Sequence, residues 1–304
     1  MMTAVFLAIA AGGLVFLLGC IGRVVQYRRT PMHLRWELYP VPHEAPAHAA
    51  HGGSYFETSN WWLSRQTIRH RGAYWAMARE ILLLKGLWDF NRSLWLPSFL
   101  FHFGLYLTML AIAAAFAGGA AGAGSAAVLL VSVCHWAGLA AMAFVLLGAL
   151  WLLARRILDP ALANFTKASD IFNLLFFLVV YGLVAEGIVR NRAHGVSLSH
   201  LARGLLHFDR TIDIDPVLAA GLVLGAILAA YIPFTHMSHF IAKYFTWHEV
   251  RWDDRRNTRD SKIERSIAGN LAYKPTWAAP HVQADGSRSW AEIAAKNPAE
   301  GKRP

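Results

Sequence analysis

The chain contains few cysteines and few charged residues for its length. Only two cysteines, Cys20 and Cys134, occur in 304 residues, and each lies alone in an apolar segment. The sequence therefore excludes a disulfide framework and an iron–sulfur cluster bound by this chain. It also lacks an internal repeat, a phosphate-binding glycine loop, a dinucleotide-binding fingerprint and a nucleophile elbow, which argues against the common nucleotide-dependent and hydrolytic enzymes.

Charged residues make up 16% of the chain and apolar residues 56%, and the apolar residues are gathered into long blocks. A membrane-spanning helix needs about 20 mostly apolar residues. Five blocks qualify: Thr3–Ile21, Leu96–Gly118, Ala126–Leu153, Ile171–Val189 and Pro216–Tyr231, the last continuing through Pro233–Phe240. The first block has no basic residue before Ala11, so we expect a retained helix and not a cleaved signal peptide. The sequence thus predicts an all-α membrane protein, a bundle of five transmembrane helices.

The basic residues predict the orientation of this bundle. Of the 29 Lys and Arg residues, 25 fall in the segment after the first block, in the turn after the third block and in the C-terminal tail. Basic residues favour the cytoplasmic side, so we expect the N-terminus outside and the C-terminus inside, in a bacterial inner membrane. The net charge of +10 then follows from topology and does not require a nucleic-acid partner.

This topology divides the chain into four parts. They are the first transmembrane helix (residues 1–27), a cytoplasmic interfacial helical loop (28–95), transmembrane helices 2–5 (96–242) and a cytoplasmic tail (243–304). In the loop, aromatic and basic residues alternate from Ser64 to Phe90, which suits helices lying on membrane lipid. We expect the loop histidines to be solvated. The tail is expected to be irregular, and its spaced tryptophans predict a docking surface for a partner.

Two histidines lie inside predicted spans that run in opposite directions. His102 is near the start of the second block and His239 near the end of the fifth, so both are expected at the same depth near the inner face. An ionisable ring within a bilayer is a functional-site hypothesis, and heme iron is a common partner for a facing histidine pair. The alternative is that each ring only hydrogen-bonds a neighbouring backbone carbonyl.

His236 shares a helix face with His239 and is a secondary candidate ligand. A His-x-x-His step also occurs at zinc and di-iron sites, but such sites need carboxylates. The only acids in the second and fifth spans are Asp213 and Asp215, at the far end of the fifth. We therefore favour His239 as the iron ligand and His236 as a neighbour that contacts the cofactor.

His135 and Glu186 are polar residues expected in the outer half of the membrane. His135 follows Cys134 but lacks the Cys-x-x-Cys-His attachment signature of c-type heme. Heme ligation, quinone contact and plain packing stay open for it. Glu186 is either the acid of an i,i+4 ion pair with Arg190 or a proton acceptor for quinol.

The run Pro233-Phe-Thr-His-Met-Ser-His239, continuing to Asp254, resembles the last helix of the nitrate reductase gamma-subunit family of diheme cytochromes b. Within that family it is similar to the subunits of sulfite-reduction-associated and heterodisulfide-reductase-like membrane complexes. The tail segments Tyr273–His281 and Ser289–Ile293 are similar to the same branch. The five spans and the orientation agree with this resemblance over nearly the whole chain.

The resemblance implies heme b with His102 and His239 as axial ligands. At the positions where the family binds its second heme, this chain has Ile112 and Gly221, neither of which can bind iron. The second heme is therefore absent, or His135 holds it with a partner that the sequence does not identify.

The resemblance further implies a quinone-reacting subunit of a multi-subunit oxidoreductase, with menaquinone or ubiquinone as substrate. The expected partners are a cytoplasmic iron–sulfur subunit and additional periplasmic cytochrome c or membrane subunits. Two alternatives stay open: an ion- or proton-conducting transporter, and a membrane anchor with no redox role.

Overall fold

The computed structural model describes residues 1–30, 40–65, 67–122, 124–191, 195–249, 252, 255–277, 282 and 284–296. Some positions that bear on the sequence analysis lie outside the described residues. They are His194, residues 250, 251, 253 and 254 of the run after His239, and residues 278–281 of the tail. The regular secondary structure of the described part is helical. Thirteen α-helices are defined there: α1 Met2–Arg29, α2 Pro46–Ala50, α3 His70–Leu82, α4 Lys85–Phe90, α5 Arg92–Ala121, α6 Ser125–Leu158, α7 Pro160–Ala163, α8 Ala168–Asn191, α9 Leu198–His207, α10 Pro216–Tyr231, α11 His239–Lys243, α12 Lys262–Leu271 and α13 Trp290–Ala295.

Five helices in the described residues are long and apolar enough to cross a membrane, which confirms the predicted bundle. They are α1, α5, α6, α8 and α10, the last extended to Phe234 by a short 3₁₀ turn. Polar residues cap them: the Asn91 side chain accepts a hydrogen bond at the start of α5, and Asp215 does the same for α10, whose first residue is Pro216.

By their contacts, the residues form two compact units. The first contains Met1–Ile21 and Ala73–Ser238, and the second contains Gly22–Gly72 and His239–Pro304. The first unit thus holds most of the apolar spans, and the second holds the end of α1, part of the loop and the tail.

In the first unit, α5 and α6 form an antiparallel pair in close backbone contact. A Cβ atom added to Gly148 would lie 2.5 Å from the backbone nitrogen of Phe101, and one added to Gly104 would lie 2.8 Å from that of Val145. Small residues let membrane helices approach this closely and gain van der Waals contact.

The pair α8 and α10 is built in the same way. A Cβ atom on Gly187 would lie 2.5 Å from the backbone nitrogen of Leu218, and one on Gly221 would lie 2.9 Å from that of Val184. α1 runs parallel to α10, since Gly12 meets Ala226 and Gly19 meets Pro233. Successive spans cross the membrane in alternating directions, so the first and the last of five spans must run in the same direction.

The contact at Gly12 gives a direct test of this packing. A Cβ atom there would lie 2.5 Å from the carbonyl oxygen of Ala226, whereas a Cβ atom on Gly13 would have no neighbour within 4 Å. Gly12→Ala is expected to lower the free energy of unfolding by about 1–3 kcal/mol, as overpacking typically does. Gly13→Ala, the matched control on the adjacent residue, should be neutral or slightly stabilising because alanine favours a helix. Thermal unfolding in detergent measures both, and equal effects would contradict the packing described.

One end of the first unit, termed the basic end, lies where α6 ends and α5 and α8 begin. Pro97 has no N–H, so the carbonyl of Ser93 lacks its usual helical donor. The Arg155 guanidinium donates to that carbonyl (3.2 Å) and pairs with Asp159 (2.7 Å). The hydrogen bond from Arg155 lowers the pKa of Asp159, so this contribution to stability is lost as the pH falls through that lowered pKa.

The last span ends earlier than predicted. We expected the last block to continue as a helix through Phe240, but α10 ends at Tyr231 and two 3₁₀ turns follow, Ile232–Phe234 and His236–Ser238. Pro233 cannot donate the hydrogen bond that a continued helix needs. The side chain of Ser238 donates instead to the carbonyl of Thr235 (2.8 Å), which holds the second turn in place.

The second unit differs from the prediction of an irregular tail and solvated loop histidines. α12 and α13 lie in the tail, and α13 begins with a capping box of Ser289 and Glu292. His43 is buried, with its ring 6.5 Å from that of Trp252, so the expectation that the loop histidines are solvated is wrong for this residue. The prediction failed because the aromatic partner is about two hundred residues away in the sequence.

Candidate functional site

His102 lies on α5 in the first unit and is half-buried. Its Nδ1 lies 2.7 Å from the carbonyl oxygen of Ser98, one helical turn earlier. Because a carbonyl only accepts, the Nδ1–H must donate, and the lone pair of the neutral ring is then on Nε2. Histidines that bind metals are commonly held in this way, since the hydrogen bond fixes the tautomer and the ring orientation.

The core around His102 joins the two antiparallel helix pairs through large side chains. The ring of Phe101 meets that of Phe177 edge to face at 5.0 Å, and Leu228 from α10 belongs to the same buried cluster. Further along α5 the Thr108 hydroxyl lies 2.7 Å from that of Tyr181. These contacts fix α5, and with it His102, against α8.

His239 is the first residue of α11 and is exposed. It belongs to the second unit, whereas His102 belongs to the first. The pairing of the two rings therefore stays a prediction.

His236 lies in the second 3₁₀ turn and contacts two polar residues of α8. Its Nε2 is 3.2 Å from Nδ2 of Asn173 and 3.3 Å from Oδ1 of Asp170. Tyr231 donates from its hydroxyl to Oδ1 of Asn173 at 3.1 Å. We term these four residues, Asp170, Asn173, Tyr231 and His236, the basic-end cluster. Only His236 among them was a candidate in the sequence analysis. A usable signal was Asn173, a polar residue within a predicted span.

The described residues do not provide an all-protein metal centre. No group of three or more His, Cys, Asp or Glu side chains lies close enough there to hold an ion. A bis-histidine heme needs only two protein ligands, so this finding does not bear on the predicted heme.

The two residues expected in the outer half of the membrane, His135 and Glu186, both have exposed side chains. His135 is exposed, with its ring 5.2 Å from that of the exposed Trp136, whereas the preceding Cys134 is buried. Glu186 accepts from the Arg190 guanidinium at 2.7 Å, so the predicted ion pair is present. A quinone or proton role for either residue stays a prediction.

The sequence profile of the nitrate reductase gamma subunit matches residues 89–252, more than half of the chain and the part that contains His102, His236 and His239. The chain belongs to the nitrate reductase gamma subunit family. No curated protein matches it.

Membership in this family establishes the general biochemistry of the chain. It is a multi-pass membrane protein of the bacterial inner membrane, and a heme-containing, quinone-interacting subunit of a redox enzyme complex. The predicted family, the membrane location and the quinone-linked redox role are thereby confirmed. The relationship to the sulfite-reduction-associated branch stays a prediction.

The resemblance predicts two heme positions, and the described residues suit a heme ligand at the first of them. At His102 the hydrogen bond to Ser98 leaves Nε2 suited to iron, and the ring lies beside a buried aromatic core. At the second position Ile112 is 53% exposed on the outside of α5, and Gly221 is packed against the backbone of α8. A second heme between these two positions does not fit the packing.

Proposed function

We propose that this chain is the heme b subunit of a respiratory complex that transfers electrons between the membrane quinone pool and a cytoplasmic iron–sulfur subunit of the heterodisulfide-reductase-like type. The observation that carries this proposal is the His102–Ser98 hydrogen bond within the segment that matches the family. Family membership favours this redox function over an ion transporter or a non-redox anchor.

His102 and His239 are the residues proposed to hold the heme. Bound heme would supply one-electron oxidation and reduction, and ligation by two histidines would disfavour oxygen chemistry. The chain's own task is to bind the group, orient the ligand rings and exclude water. Ser98 orients the first ring by accepting from Nδ1–H.

The second unit is the proposed surface for the iron–sulfur partner. It contains the tail, whose basic residues predict a cytoplasmic location. Within it the ring of Trp277, which is 53% exposed, lies 5.6 Å from that of Trp290 at the start of α13. An exposed tryptophan on a structured tail is a common anchor for a protein partner.

The partner can be tested by purifying the tagged full chain from native membranes in mild detergent. We expect a cytoplasmic protein containing iron and acid-labile sulfide to co-purify. Trp277→Ala should lower its yield by about tenfold, the effect of a moderate interface anchor, without changing the heme content. Trp136→Ala, which removes an exposed tryptophan of the first unit, is the matched control. Purification of the chain without any iron–sulfur protein, under conditions that keep the heme, would contradict the proposed partner.

A further inference from the structure

A groove lies beside the last two turns of α1, within the second unit. We term it the α1–α12 groove. It has a volume of about 480 Å³ and is lined by Gly22, Val25, Gln26, Arg29, Thr30, Asn270 and Tyr273. The first five of these residues follow the spacing i, i+3, i+4, i+7 and i+8, which is one face of a helix. One face of α1 therefore forms one wall of the groove, and the end of α12 forms the other.

Both walls of the α1–α12 groove lie outside the part of the chain that matches the family. The match covers residues 89–252, whereas the groove is built from residues 22–30 and 270–273. The proposed heme ligands, His102 and His239, lie within the match. Family membership therefore assigns no role to this groove, and its role must be inferred from its own residues.

The α1–α12 groove begins where the apolar part of α1 ends. α1 is long and apolar enough to cross a membrane. Val25 is 40% exposed, and the same helix face carries three more exposed apolar residues toward the N-terminus: Leu14, Leu18 and Ile21. After Val25 this face becomes polar, with Gln26, Arg29 and Thr30. An acyl chain that follows the apolar stripe would bring its headgroup to the polar half of the groove.

The side chains at this end of α1 favour an anion. Arg29 is exposed and lines the groove, and no acidic residue is among the described residues of the lining. Arg23 and Arg28 lie on the same two turns of α1. Arg23 donates to Oε1 of Gln26 at 3.1 Å, and the amide nitrogen of Gln26 is a further donor. The groove thus combines a positive charge with hydrogen-bond donors.

The ends of α1 and α12 contribute partial negative charge, about half an elementary charge each. Their last carbonyls, however, already accept hydrogen bonds. The backbone N–H of Thr30 donates to the carbonyl of Gln26 at 3.1 Å, and that of Tyr273 donates to the carbonyl of Asn270 at 3.1 Å. A ligand in the groove therefore meets mainly side chains, and the full charge of the Arg29 guanidinium exceeds the partial charge of either helix end.

We propose that the α1–α12 groove binds an anionic phospholipid, with its phosphate at Arg29 and an acyl chain along Val25. A guanidinium matches the geometry of a phosphate and donates two parallel hydrogen bonds to it. The amide of Gln26 and the phenol of Tyr273, which is 65% exposed, are donors for the phosphate or for the glycerol of the headgroup. The bound lipid would then join the end of α1 to the tail.

Native mass spectrometry of the full chain with its heme, purified in mild detergent, measures this binding. The chain is titrated with dioleoylphosphatidylglycerol and, in parallel, with dioleoylphosphatidylcholine. We expect one phosphatidylglycerol per chain to bind about tenfold more tightly than phosphatidylcholine, because its headgroup adds no second cation beside Arg29. Glycerol 3-phosphate, which has a phosphate and no acyl chain, should not displace the lipid at the same concentration. Equal binding of the two lipids, or displacement by glycerol 3-phosphate, would overturn the proposal.

Two arginine variants separate a bound lipid from general attraction to a basic helix end. Arg28 and Arg29 are both exposed and end the same helix, but Arg29 lines the groove and Arg28 does not. Arg29→Gln should weaken the binding of phosphatidylglycerol by about tenfold, whereas Arg28→Gln, the matched control, should leave it unchanged. Equal losses would show diffuse electrostatic attraction and would contradict a defined site.

Two glycine variants test the shape of the groove. A Cβ atom on Gly22 would have no neighbour within 4 Å, and the same is true of Gly13, which lies on α1 away from the groove. Leucine favours a helix at both positions, so both variants should fold. Gly22→Leu should lower the binding of phosphatidylglycerol by about tenfold because its side chain takes up space in the groove, and Gly13→Leu should not.

Unchanged lipid binding in Gly22→Leu would overturn the proposal. Loss of the co-purifying iron–sulfur protein from Gly22→Leu, with lipid binding unchanged, would instead assign the groove to a protein partner and would also overturn it.

Discussion

Replacing His102 by alanine is expected to lower the heme content of the purified chain by at least about tenfold. The imidazole is predicted to supply one of two bonds from the protein to iron, and even changes in the residues behind a metal ligand cost about 10–100-fold in metal affinity. The α-band of the reduced-minus-oxidised spectrum measures this loss directly. His239→Ala should have an effect of the same size, since the two rings are expected to act as a pair.

A control and a chemical rescue separate ligation from folding. His207→Ala removes an exposed imidazole on α9 and should leave the spectrum unchanged. His102→Gly leaves space for free imidazole, so added imidazole should restore a low-spin spectrum if His102 binds iron. Normal heme content in His102→Ala would show that the ring does not bind iron.

The second large expectation is a ratio of one heme per chain, although the family that the chain resembles consists of diheme cytochromes b. The reason lies in the half of the bundle away from the basic end. There Ile112 faces outward, and Gly221 lies so close to α8 that an added Cβ would be 2.9 Å from the backbone nitrogen of Val184. A porphyrin does not fit between helices in backbone contact.

The ratio is measured by the pyridine hemochromogen of purified protein, with the chain quantified by amino-acid analysis. The expected value is one for the wild type and near zero for His102→Ala. A value of two for the wild type would contradict the packing argument. His135→Ala would then test whether that histidine holds the additional heme, the alternative left open by the sequence.

The five spans and the family could be predicted from the sequence because each rests on local information. Hydropathy over about 20 residues finds a membrane helix, and the run from Pro233 to His239 carries a recognisable pattern within seven residues. The count of basic residues in each loop likewise predicts the orientation of the bundle in the membrane. That orientation stays a prediction.

The basic-end cluster could not be predicted because its residues meet only in the folded chain. Asp170 and His236 are 66 positions apart, and their contact depends on how α8 packs against α10 and on where α10 ends. The end of α10 was itself misplaced, since an apolar stretch gives no indication of whether Pro233 kinks the helix or ends it. The glycine contacts between α8 and α10 were equally hidden, because a glycine within a span does not reveal its neighbour.

Reduction of the purified chain by a quinol tests the central claim most directly. The full chain with its heme is mixed anaerobically with menadiol, and the absorption of the heme is followed with time. The account predicts that a b-type α-band appears with the wild type and is lost in His102→Ala. Absence of any b-type band in the dithionite-reduced wild type, or a band that dithionite produces and menadiol does not, would contradict it.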